Sequence, residues 1–191
     1  MMSKRELMSK GDRSRRYVLI AAVSCCLAGS VASAEDLRDF VIAPEAAEKT
    51  LNLDEISVAT AEKVGKACVA YAEQRDLSLA VFILGPSGNV VYAYRMDGEN
   101  PIEVDTAWRK AQTVLYMRTS THAMVKRYGQ GMQATMFDLG QFPYTGGLPI
   151  MVGPQLIGAI GVGGASGAED EKCAYEALTK VIGPQPALVA D

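Results

Sequence analysis

The apolar positions of this chain fall into blocks of different period. Residues 17–29 (YVLIAAVSCCLAG) form an unbroken apolar run of 13. From Asn52 the period becomes helical. Leu53, Ile56, Val64, Cys68 and Tyr71 recur near helical spacing with charged residues between them. Asn52, with Glu55 three residues on, has the form of a capping box and predicts the helix start. LSLAVFIL (77–84) is fully apolar and of strand length, GPSGN is turn chemistry, and VVYAYR (90–95) is β-branched and aromatic. Two such runs around a Gly/Pro/Asn turn predict a hairpin.

VDTAWRKAQTVLYMRTSTHAMVKRYG (104–129) is helical, with Trp108, Ala111, Leu115 and Thr119 on one face. The TST at 119–121 holds a capping residue, so a second short helix is expected near His122. Residues 130–147 are broken by glycine and proline. LPIMV and QLIGAIGV flank Gly153-Pro154 as a second hairpin, and the last helix is expected over Glu169–Ile182. Strands joined by tight turns pair antiparallel. Helices at both ends and in the middle then give an α+β fold, an antiparallel sheet of about five strands flanked by helices. No period of 20 to 50 residues repeats, which argues against a solenoid or propeller.

The first 34 residues have a different character. A basic stretch (MMSKRELMSKGDRSRR) precedes the apolar run, and Ala32 and Ala34 stand at the small positions of an A-x-A cleavage site. That combination is expected of a secretory signal peptide over 1–34. The run is short of the roughly 20 apolar residues that span a bilayer, so no stable membrane anchor is expected after cleavage. Arg15-Arg16 after Ser14 partly matches a twin-arginine signal, and general secretion stays open. Residues 35–51 read as a flexible lead-in, 52–183 as the folded domain and 184–191 as a tail. Beyond residue 34 lie 13 of the 19 basic and 20 of the 22 acidic residues, a net charge of −7. An acidic chain without a basic stripe argues against nucleic acid as partner.

Export also bears on the cysteines. Cleavage would leave Cys68 and Cys173, both in predicted helices. An exported chain with two cysteines is expected to form a disulfide between them. Two buried thiols acting as small hydrophobes are the alternative.

Nine of the 18 glycines lie between residues 140 and 167. GVGGASG (161–167) lies between a strand and a helix, the order of a phosphate-binding turn. Three features oppose that role. Ser166 stands where the third glycine of the motif belongs. The helix opens with Glu169, Asp170 and Glu171, which repel a phosphate. The chain ends too soon for a second parallel strand. Gly146, Gly147, Gly158 and Gly161 are instead expected to let a ligand or a neighbouring subunit approach bare backbone.

His122 is the only histidine. It excludes a multi-histidine metal site but not haem, whose iron needs one axial protein ligand. Arg109 and Lys110 on a helix face are candidates to hold a carboxylate or propionate.

Three blocks in order, LAVFILGPSGNVVYAYRMDGE, AWRKAQTVLYMRTST and GGLPIMVGPQLIGAIGVGGASGAEDEKCAYEAL, resemble the GlcG/HbpS-type haem-binding family over residues 52–183. The resemblance implies a profilin-like α+β fold, homo-oligomers and a small ligand, haem for some members. Haem degradation or redox sensing is implied for the exported kind. Other relatives accompany glycolate use or cobalamin adenosylation, so an accessory protein or enzyme acting in small organic acid or alcohol oxidation is the alternative. Asp105 joins Arg109, Lys110 and His122 as its candidate residues. A purely structural assembly subunit is a third reading.

By position, Lys110 matches the lysine of the K-A block, Gly146, Gly147 and Pro149 match G-G-x-P, and Gly158, Gly161, Gly164 and Asp170 match the C-terminal block. Gly163 departs from the serine usual there. The ligand-binding set expected is Arg109, Lys110, Thr113, His122, Gly146 and Gly147, with His122 as the metal ligand. Thr119 and Thr121 are further candidates by chemistry and position.

Overall fold

A computed structural model describes residues 54–190. The expected signal peptide, the expected lead-in and the expected Asn52 cap lie outside these residues.

The first helix, α1 (Val58–Glu73), begins later than its apolar pattern suggests. Ser57 is its N-cap, its side chain accepting from the Thr60 N–H. Residues 54–57 stay non-helical because Ile56 is engaged elsewhere. Its N–H donates to Ile157 O at 2.9 Å, and its side chain is buried in the core.

β1 (Ala80–Leu84) and β2 (Val90–Arg95) form the first predicted hairpin. Gly88 sits in its turn at φ 86°, a conformation that favours glycine. α2 (Pro101–Met117) starts with proline in its first turn, where the missing N–H costs nothing. It ends at Arg118, in the left-handed region. α3 (Thr121–Tyr128) follows, capped by Ser120 as the TST stretch predicts. The irregular segment contains a single 3₁₀ turn (Gln130–Met132) and a short helix, α4 (Gln133–Asp138).

β3 (Gly147–Val152) and β4 (Gln155–Gly163) make the second hairpin, and α5 (Gly167–Val181) closes the domain. The sheet has four antiparallel strands in the order β2-β1-β4-β3, one fewer than the pattern suggested. Residues 77–79 (Leu77, Ser78, Leu79) stay outside β1. Leu77 N–H is taken by Ala72 O, closing the turn after α1.

Three layers result. α1 and α5 cover one face of the sheet, and their side chains share the main core with Val81, Ile83, Ile150, Ile160 and Val162. Cys68 of α1 and Cys173 of α5 are joined in a disulfide, with Cα atoms 5.1 Å apart. This is the pairing expected from the sequence. α2 covers the other face with a smaller cluster around Leu84, Ala111, Val114 and Ala159.

The strand glycines belong to this second face, and their role differs from the expected one. A Cβ on Gly161 would collide with Ala107 O and the Ala111 backbone. One on Gly163 would meet Thr106 Oγ1 and Glu103 O, and one on Gly147 would lie 2.8 Å from Lys110 O. The occupant of the bare backbone is α2 itself. The missing side chains let helix and sheet pack backbone to backbone. Gly158 does the same for another neighbour, Leu84 O, 2.6 Å from where its Cβ would lie. Among the described residues, no helix is long and apolar enough to cross a membrane.

Candidate functional site

Past the sheet, where α2, α3 and α5 converge, lies a cleft of about 740 Å³. That is within the ordinary range for small-molecule sites. Its floor is polar. Lys110 of α2 is buried, and its ammonium donates to Asp170 Oδ2 at 2.7 Å and to Val162 O at 2.9 Å. The other Asp170 oxygen accepts from the Ala165 N–H. Asp170 thus ties the β4–α5 turn to α2, joining the layers on opposite faces of the sheet.

Burial pushes the Asp170 carboxyl up to about 6. The attraction and hydrogen bond of Lys110, then the Ala165 N–H, pull the other way without overcoming it. One residue on, Glu171 is also buried. Its Oε2 lies 3.0 Å from His122 Nδ1, at the start of α3. An ionised carboxylate only accepts, and towards it the imidazole donates from Nδ1.

The side wall is aromatic. Phe137, Phe142 and Tyr144 stack on one another with ring centroids 4.9 to 6.2 Å apart. Phe137 and Tyr144 are exposed, so the rings present apolar surface to the cleft rather than to the core. Lys172 stands at the rim, exposed.

The structure brings together only part of the expected set. Lys110 and His122 line the cleft, but Lys110 is committed to Asp170. Arg109 points away and pairs with Asp105 on the exposed helix face at 2.7 Å. Thr113 is buried behind the wall. Its Oγ1 donates to Arg109 O and accepts from the Phe142 N–H, each at 2.8 Å, so it fixes the aromatic loop.

Gly146 and Gly147 are packing residues and do not line the cleft. A Cβ on Gly146 would lie 2.8 Å from Asp170 Cβ and 2.9 Å from Lys110 Nζ, so this glycine makes room for the ion pair. Thr121 is buried and accepts from the Gly147 N–H at 2.9 Å. Thr119 borders a separate groove.

Glu171, the three aromatic rings and Lys172 were not among the expected site residues. Asp170 was matched only by position in the C-terminal block. The aromatic wall left one trace in the sequence: two of the chain's four phenylalanines, with a tyrosine, fall within residues 137–144. Among the described residues, no group of three or more His, Cys, Asp and Glu is placed to hold a metal ion.

Comparison with known proteins agrees with this architecture. An uncharacterized 15.0 kDa protein from the dhaT-dhaS intergenic region of Citrobacter freundii is 27% identical over 134 residues, covering 68% of this chain and 94% of that one. The crystal structure of a double mutant of Streptomyces reticuli HbpS superposes with a TM-score of 0.64 at 29% identity, covering 74% of this chain and 98% of that one. A haem complex of PduOC shares the fold at 24% identity and a TM-score of 0.62, covering 65% of this chain and 94% of that one. The family model described as haem degrading protein HbpS-like matches residues 56–179, so the chain belongs to the HbpS-like family.

Proposed function

We propose that this protein is exported, assembles as a homo-oligomer and binds haem in the cleft. The observation that carries the reading is the pairing of an aromatic wall with a histidine oriented by a buried glutamate. Metal-ligating imidazoles are commonly held this way, one ring nitrogen bonded to a carboxylate while the other faces the metal. Haem iron needs one axial protein ligand, and His122 has the chemistry for it. Phe137, Phe142 and Tyr144 offer apolar surface to a flat macrocycle, and Lys172 offers a cation to a propionate at the rim. Arg109 and Lys110 have no part in this, one facing solvent and the other neutralised by Asp170.

Bound haem supplies the iron-centred redox chemistry that degradation or redox sensing requires. The chain's own residues orient the ligand and shield it from water. The family description and the haem complex of PduOC support the choice of ligand. The basic stretch, apolar run and A-x-A site support export.

Titrating the purified protein with haemin and following the Soret band tests this. A saturable shift is expected, altered in position by His122→Ala and weakened by Phe142→Ala. Absorbance indistinguishable from haemin in buffer would remove haem as the ligand.

A further inference from the structure

One side of the cleft is formed by Leu188, Val189 and Ala190. They belong to the segment after α5, which enters no helix or strand and lies beyond residue 179, where the family match ends. Leu188 packs against the main core and also borders a second groove of about 390 Å³, so it forms the partition between two cavities. Pro184 and Pro186 carry no N–H and keep the segment from pairing as a strand. Among the described residues its hydrogen bonds are few. Tyr175 Oη donates to Gln185 O at 3.4 Å, and the Lys126 ammonium donates to Ala190 O. The Gln185 side-chain amide donates within the segment, to Gly183 O. The facing walls, by contrast, are helices tied by the buried Lys110–Asp170 ion pair and by the His122–Glu171 hydrogen bond. Segments with few backbone hydrogen bonds and little buried apolar surface open at low free energy.

We propose that residues 184–190 are a strap that completes the ligand cleft: it opens to admit the ligand and closes over it through Leu188 and Val189, latched by Lys126. The inference rests on the cleft being a ligand site and does not require that the ligand be haem.

Two measurements test it. The first is hydrogen exchange on the purified protein without ligand. Amides 187–190 are expected to exchange at least about a hundredfold faster than amides 173–178 of α5. Equal protection of the two would overturn the strap. The second is stopped-flow release of haemin. A chain ending at Gly183 is expected to lose haemin about tenfold faster than the full chain, since the contacts of Leu188 and Val189 are gone. Lys126→Ala, which removes only the latch, should fall between them and keeps the test alive if the shortened chain does not fold. Release rates unchanged in both variants would also overturn the strap. Failure of every chain to bind haemin would overturn the haem reading, and the exchange contrast alone would then decide the strap.

Discussion

On one face of the sheet, Val81, Ile83, Ile150, Ile160 and Val162 meet α1 and α5 through large side chains. On the other, Gly147, Gly161 and Gly163 meet α2 with none. The same strand, β4, supplies both surfaces by alternation. The first face is an ordinary aliphatic core whose stability comes from apolar area removed from water. The second gains little area per residue but brings a helix backbone against a sheet backbone. That closeness lets Lys110 on α2 reach Val162 O and Asp170 past the end of the sheet. The cleft floor lies where the two layers meet, Lys110 coming from α2 and Asp170 from α5.

The sharpest way to break this contrast is to give the glycine face a side chain. Gly161→Val places methyl groups where Ala107 O and Ala111 lie, neither of which can move without the helix. A loss of more than about 4 kcal/mol in urea unfolding is expected, in the range of severe core disruption. Ile160→Val, next along the same strand but on the aliphatic face, should cost only about 1 kcal/mol. Similar costs for the two would show that the faces are alike.

Next in size is the covalent tie on the aliphatic face. The Cys68–Cys173 disulfide closes a loop of 105 residues. Replacing both cysteines by alanine is expected to lower stability by about 4 kcal/mol, without moving α2 or the cleft floor. A double variant with unchanged urea midpoint would mean that side-chain packing alone holds α1 to α5.

The third effect concerns the link between the faces. Burial holds the Asp170 carboxyl near 6, above its ordinary value. The folded protein therefore binds this proton more tightly than the unfolded chain does. The resulting stability is fully present below about pH 4, is lost as pH rises towards 6, and stays constant above. The span is at most about 3 kcal/mol. Asp170→Asn removes that slope, so the stability difference between variant and wild type should change from pH 4 to 6 and level off beyond. A difference independent of pH over that window would show that Asp170 is not raised.

Much of the fold was legible because it follows local rules. GPSGN and Gly153-Pro154 sit at the two hairpin turns, Ser120 caps α3, and the acidic opening of the last helix marks its first turn. Where local rules failed, a distant partner was responsible. Ile56 was read into α1 by its spacing but is bonded to Ile157, about 100 residues away in sequence.

The site follows the same logic. Lys110 and His122 could be singled out as residue types. Their partners Asp170 and Glu171 lie 60 and 49 residues further on, and no periodicity connects them. Arg109, beside Lys110, turns to solvent because successive helix residues face about 100° apart.

By itself the sequence determined the element order, the antiparallel hairpins and the family. Each depends on residue type and short-range spacing. It also marked which strand positions lack side chains. Tertiary structure alone decided what fills that space: a helix backbone rather than a ligand. It likewise decided that Lys110 is neutralised by Asp170 rather than offered to an acid, because contacts across the sheet depend on how the layers come together, which spacing along the chain does not record.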